Sequence, residues 1–210
     1  MKRVVVFLAL TAVLLLANGL QAEDVLAPTW RGDAGTTLQS WEFSTGETPV
    51  DADYSENLNG LASVSVPGGF GAGAVWYEEY QGASGVWLFE DEMIASIPNF
   101  EIDNPFKEVW VQVTYWADFA PNVYLLSEGD QQNVVAMALV DDIAGSGVYS
   151  TAIYSAIIEP NPTFEEVWIR PAECTSYVDE LVIDTICAPE PATMVLLGLG
   201  GLALLRKRKP

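Results

Sequence analysis

Nine basic residues, 29 acidic residues and no histidine make up the charged inventory of this 210-residue chain, and that inventory decides much of its chemistry. Without imidazole, neither a Ser-His-Asp nor a Cys-His arrangement can be assembled, and histidine-bearing metal hydrolase centres are closed as well. No GxxxxGK(S/T) loop or GxGxxG turn is present to cradle phosphate, since Gly68-Gly69-Phe70-Gly71 reads as a plain turn. The only cysteines, Cys174 and Cys187, lack CxxC spacing and a histidine partner, so zinc has no ligand set. Carboxylates remain, and two well-placed acids suffice to hydrolyse a glycoside. The run Glu90-Asp91-Glu92 nevertheless reads as a solvated edge or turn. The expectation is a protein that is not an enzyme.

Binding chemistry has more support. Alternation along Val109 to Trp116 places Val109, Val111, Val113 and Tyr115 on one strand face and Trp110, Gln112, Thr114 and Trp116 on the other. The first set is a core face. The second mixes flat rings with short hydrogen-bonding groups, the combination that meets the apolar face and the hydroxyls of a sugar. Trp76 and Tyr80 share a face of their own segment with Glu78 and extend the same candidate polysaccharide platform. The competing expectation is that Trp110 and Trp116 are second-side core beneath a loop, since large aromatics are mostly buried. A cation offers the other candidate: Asp51, Asp53 and Asn57 in one loop and Asp141-Asp142 beside a Gly-rich turn are hard oxygen donors suited to Ca²⁺. Neither loop has the twelve-residue EF-hand pattern, and solvated acid is the plainer reading. No other cofactor is expected.

The elements that must position these residues read almost entirely as strands. Segments 37–45, 61–66, 73–80, 85–95, 108–117, 122–127, 133–140, 148–159, 164–170 and 176–186 are rich in Val, Ile, Tyr and Trp. Turn residues separate them at Pro67-Gly68-Gly69, Gly82-Ala83-Ser84-Gly85, Gly145-Ser146-Gly147 and Pro160-Asn161-Pro162. No body segment sustains a helical apolar stripe. The expected fold is one all-β domain, an antiparallel β-sandwich. If the last segment is a single extended strand, its ends lie ~30 Å apart. Cys174 and Cys187 could then approach within the ~7 Å of a disulfide only by the chain folding back.

Both termini read as signals. Lys2 and Arg3, the apolar run Val4 to Ala17 and the site Gly19-Leu20-Gln21-Ala22 form a signal peptide over 1–22, a substrate for signal peptidase. At the other end, residues 189–210 run from Pro189-Glu190-Pro191 through uncharged Ala192–Leu205 to Arg206-Lys207-Arg208-Lys209. Fourteen residues make a helix of ~21 Å, shorter than a ~30 Å hydrocarbon core, so this transmembrane segment crosses only with thinning or snorkelling. The basic cluster stays cytoplasmic. The intervening body, 23–188, keeps three basic residues (Arg31, Lys107, Arg170) against 28 acids, a net of −25. A surface of that sign repels nucleic acid and excludes it as a partner.

The C-terminal order of Pro-Glu-Pro, short apolar helix and basic cluster resembles the PEP-CTERM signal of Gram-negative envelope proteins. That resemblance implies recognition and processing by the membrane protease exosortase, on the way to the outer surface or the extracellular matrix. The stretch Tyr177-Val178-Asp179-Glu180-Leu181-Val182-Ile183-Asp184 is similar to the closing strand of carbohydrate-binding jelly rolls, which implies a jelly-roll-like body. Thr29-Trp30-Arg31-Gly32, Thr37-Leu38-Gln39-Ser40-Trp41-Glu42-Phe43 and Lys107-Glu108-Val109-Trp110-Val111-Gln112 resemble a planctomycete group of PEP-CTERM proteins, a likeness that implies no activity. Glu101-Ile102-Asp103 begins like the Glu-x-Asp-x-x-Glu strand of sandwich glycosidases, but Phe106 stands where the second glutamate belongs. Three functions follow as alternatives: a polysaccharide-binding envelope protein, a structural self-associating surface protein, and a carboxylate-dependent glycosidase.

Overall fold

The computed structural model describes residues 24–67, 73–99, 105–127, 134–145, 147–162 and 164–188. The expected signal peptide and the sorting signal Pro189 to Lys209 lie outside the described residues, as do Glu101-Ile102-Asp103. The strands are β1 (Thr36–Trp41), β2 (Val50–Asp51), β3 (Tyr54–Ser55), β4 (Ser63–Ser65), β5 (Ala74–Tyr80), β6 (Ala83–Phe89) and β7 (Met93–Pro98). They continue as β8 (Phe106–Trp116), β9 (Pro121–Ser127), β10 (Val134–Ala136), β11 (Ala138–Ala144), β12 (Tyr149–Ile158), β13 (Phe164–Pro171) and β14 (Ser176–Ala188). Every pairing among them is antiparallel. The larger sheet runs β11-β12-β8-β14-β1-β3, with β6 also on β14 and β5 on β6; the smaller runs β10-β9-β13-β7-β4-β2.

The differences from the sequence expectation have local causes. Segment 85–95 divides into β6 and β7 because Glu90-Asp91-Glu92 turns the chain, as those acids suggested. The first strand ends at Trp41 rather than residue 45, since Phe43 adopts a φ of 49° that an extended strand cannot hold. Segment 133–140 breaks at Met137, and its second half continues as β11 to Ala144. The cysteines stand at opposite ends of β14, ~40 Å of extended chain, and both are free thiols.

The core lies between the sheets. Val109, Val111 and Val113 of β8 and Val167 and Ile169 of β13 alternate inward and are fully buried, with Trp41, Phe43, Trp87, Phe89 and Ile97 around them. Each such side chain contributes about 1.5–3 kcal/mol relative to exposure. β14 sits at the centre of the larger sheet, paired to β8 on one side and to both β1 and β6 on the other. A bulge between Val178 and Glu180 lets Val178, Leu181 and Ile183 all point into the core although their spacing is not regular.

One close approach fixes the edge of the site. Gly85 has a φ of +82°, and a Cβ there would stand 2.4 Å from the Glu42 carbonyl oxygen and 2.5 Å from that of Phe43. Only glycine lets β6 pass so near the end of β1. That contact sets the β5–β6 hairpin tip beside Glu42.

Candidate functional site

The outer face of the larger sheet carries the expected platform, and the structure divides it in two. At one end the chain from Asp24 to Arg31 lies across β8 and β14 as a strap. The Leu26 N–H donates to Gln112 Oε1 at 2.9 Å, Gln112 Nε2 donates to Asp24 Oδ1 at 2.7 Å, and Trp110 Nε1 donates to the Leu26 carbonyl at 3.0 Å. Gln112 is consequently 1% exposed and Trp110 only partly so. Arg31 completes the strap with a two-pronged bond to the fully buried Asp184 (2.6 and 2.5 Å) and a contact with Asp24. Burial pushes the Asp184 carboxyl above its usual range, and the Arg31 bond and charge pull it back down. Trp110 and Trp116 sit six positions apart on β8, ~20 Å, so Trp110, Gln112, Thr114 and Trp116 do not form one open face.

At the far end Trp116 joins an aromatic cluster. Its ring centroid lies 5.4 Å from Tyr80, 5.0 Å from Phe119 and 4.9 Å from Tyr177, while Tyr80 stacks on Tyr177 at 5.1 Å and 15° and meets Tyr77 at 4.8 Å. All five rings are partly exposed. Their positions come from separate elements: Tyr77 and Tyr80 from β5, Trp116 from the end of β8, Phe119 from the turn after it, and Tyr177 from the start of β14. The 117–120 turn holds Phe119 through its N–H to the Trp116 carbonyl at 2.8 Å. Burial, then the hydrogen bond with Tyr80, pushes the Tyr177 phenol up to about 12.

Beside the rings, the hairpin tip lines an open groove of about 340 Å³, within the size range of small-molecule sites. Gln81, Gly82, Ala83 and Ser84 form one wall; Glu42, Tyr149, Asp179 and Glu180 bring hydroxyl and carboxyl groups from elsewhere. Its floor is Thr114 and Thr151, whose hydroxyls bond each other at 3.0 Å, with Thr114 donating to Glu180 at 3.4 Å. The β14 bulge aims Asp179 into this groove. Tyr149 donates to the Tyr80 carbonyl at 2.8 Å and ties the tip down; burial, then the nearby Asp179 charge, pushes its phenol up to about 12.

The other expected residues scatter. Trp76 does not extend the platform: its ring packs against the core under Gly46 and donates to the Phe43 carbonyl at 2.9 Å. Of the candidate cation ligands, Asp53 accepts the Glu42 N–H at 2.7 Å, Asp142 accepts the Tyr115 hydroxyl at 3.0 Å, and Asp141 accepts the Asp142 N–H at 2.9 Å. Asp51 is exposed on β2. Among the described residues no three His, Cys, Asp or Glu side chains gather as a metal site. Tyr77, Phe119 and Tyr177 were missed by the alternation argument because they come from three elements. The aromatic start of the Tyr177–Asp184 segment was the available signal.

A family profile for the PEP-CTERM protein-sorting motif matches residues 188–209, and no curated protein sequence matches the chain. Among solved structures, the globular domain of zebrafish complement 1qA is 10% identical, covering 72% of this chain and 95% of its own at a TM-score of 0.35. A carbohydrate binding module from Cellvibrio mixtus lichenase 5A, solved with cellotriose, is 11% identical over 70% of this chain and 94% of its own, TM-score 0.26. The chain spans 14% of the length of a family GH115 4-O-methyl-alpha-glucuronidase with specificity for decorated arabinogalactans; 48% of this chain is covered, at 12% identity and a TM-score of 0.31. Likeness at that distance transfers neither ligand nor site. The address is set by the C-terminus itself: the PEP-CTERM protein-sorting motif over 188–209 marks an exported, exosortase-processed protein associated with the cell envelope.

Proposed function

We propose that the body is a non-enzymatic polysaccharide-binding module whose site is the Tyr80–Trp116–Tyr177 cluster with the adjoining groove, and that it is released from its signal peptide near Glu23. The observation that carries this reading is a cluster of five partly exposed rings next to a polar groove, joined to it where groove-lining Tyr149 bonds the Tyr80 carbonyl. Flat rings take the apolar face of a pyranose, and the Gln81, Ser84 and Asp179 side chains meet its hydroxyls. A jelly-roll reading of the body is supported by the way β7, β8, β9, β12, β13 and β14 pass between the sheets.

The test is retention on immobilised polysaccharides. Trp116→Ala and Tyr177→Ala should abolish retention while the protein keeps its β circular dichroism, and Trp110→Ala, at the strap end, should leave retention unchanged. A specific observation favours self-association as the second reading: Leu139 and Val140 on the edge strand β11 and Ile157 on β12 are 58%, 47% and 57% exposed. No retention on any polysaccharide, together with concentration-dependent sedimentation that Leu139→Glu removes, would overturn the binding proposal in its favour.

A further inference from the structure

Between residues 23 and 188 the chain has a single lysine, Lys107, set against 28 acids, and it is fully buried. It is the first inward-pointing residue after Phe106 on β8, and its ammonium touches Glu165 of β13, in the facing sheet, which is also fully buried. The two charged ends touch, and among the described residues no other group bonds to Lys107 Nζ or to either Glu165 oxygen. A lysine is among the residues least often buried. A buried ion pair replaced by apolar side chains is often no less stable, so cohesion alone gives no reason to keep this one.

Two carboxamides complete the cluster. Glu165 pairs in register with Ile97, and Asn99 lies two residues beyond Ile97, a diagonal neighbour of Glu165 within reach of long side chains. Asn99 Nδ2 donates to Asn161 Oδ1 at 3.0 Å and to the Pro162 carbonyl at 2.7 Å, so its amide plane is fixed. Its Oδ1 stands 3.7 Å from Sγ of Cys187, and Cys187 is the cross-strand partner of Lys107. Amine, carboxylic acid and carboxamide are thus neighbours at one end of the core, the first two fully buried and Asn99 half-buried.

We propose that this cluster forms an intramolecular isopeptide bond between Lys107 and Asn99, with Glu165 as the proton carrier. Burial raises the Glu165 carboxyl well above its usual range, against the opposing pull of Lys107. A carboxyl so raised is suited to hold the proton that the Lys107 nitrogen gives up in the step. The Lys107 nitrogen lone pair attacks Asn99 Cγ, forming the new carbon–nitrogen bond. Glu165 gives its proton to the departing Asn99 nitrogen as the old bond breaks, then takes one from the attacking nitrogen. One proton stays on the new amide, one on Glu165, and the rest leave with the nitrogen as ammonia. No oxidant or co-reactant is needed. The bond would tie the end of β7 to the start of β8, and with them the two sheets, at the end where β14 leads toward the sorting signal.

The mass of the exported protein, measured after denaturation and set against its own observed termini, should be low by one ammonia. A lysine-specific endoprotease should then fail to cut the denatured body after Lys107. Asn99→Ala should restore the full mass and the cleavage. Asn99→Asp should give a deficit of one water instead, and Glu165→Gln should leave the chain uncrosslinked. The wild-type measurements need no variant to fold. A full sequence mass with ready cleavage at Lys107 would overturn the proposal, as would a deficit that persists in Asn99→Ala and so places the acceptor elsewhere.

Discussion

Arg31 shows how much one side chain carries where cations are scarce. Its guanidinium grips Asp184, which is wholly buried under the strap, and holds Asp24 as well. The Arg31→Ala protein should lose about 3–5 kcal/mol at pH 7, because a buried carboxylate is left without its partner. The pH dependence follows from the direction of the shift. Asp184 already titrates above the ordinary aspartate value of 3.8 because of burial, and Arg31 is what lowers it. A raised folded-state pKa gives stability that is complete below the unfolded value and lost as pH rises through the folded one. The deficit of Arg31→Ala relative to wild type should therefore be largest near neutrality and shrink toward pH ~4. Chemical denaturation of both proteins across that window checks it, and a deficit indifferent to pH would point to lost packing instead. None of this was legible in the sequence, where Arg31 and Asp184 are 153 residues apart and only the fold brings them together.

At the level of elements, the strands were legible wherever one or both faces meet the core. β8, β12 and β13 show it through Val, Ile, Tyr and Trp at spacings their burial repeats. β11 was half hidden because nearly all its side chains are exposed, so no alternation marks it. The strap was invisible for a related reason: it bonds to the sheet through a backbone N–H, a carbonyl and single polar side chains, and such bonds leave no periodic trace. Its presence turned the Trp110–Gln112 face from open platform to covered surface. Deleting residues 24–26 should uncover that face, shift tryptophan emission to longer wavelength and cost about 2–4 kcal/mol, since the three bonds from strap to sheet are lost at about 0.5–1.5 kcal/mol each, along with the exposed Arg31–Asp24 contact, which adds little. Retention through Trp116 should not change. If the deletion instead created new retention that Trp110→Ala removed, the strap would be a cover over a second binding surface.

For the molecule as a whole, charge is the dominant long-range term. The three cations of the body are all committed to pairs: Arg31 to Asp24 and Asp184, Lys107 to Glu165, and Arg170 to Glu92. The net −25 of the body is thus spread over acids that no further basic side chain of the body offsets. Self-repulsion of that kind destabilises the compact state, and it weakens as the screening length falls from ~10 Å at 0.1 M salt toward ~3 Å at 1 M. The Tm should rise from dilute buffer to ~0.5 M NaCl, by ~2–4 °C for each kcal/mol of repulsion relieved. Calcium separates screening from binding. At matched ionic strength, a rise with Ca²⁺ no larger than with NaCl is the expected result, because Asp53, Asp141 and Asp142 already serve as acceptors for backbone and hydroxyl donors. A Ca²⁺ increment that grows with the logarithm of its concentration, the signature of a ligand bound to the folded state, would show that acids outside these contacts hold the ion. Thermal melts in paired NaCl and CaCl₂ series decide between the two, and a Tm flat in both would mean that the fold already keeps its carboxylates far enough apart for repulsion not to matter.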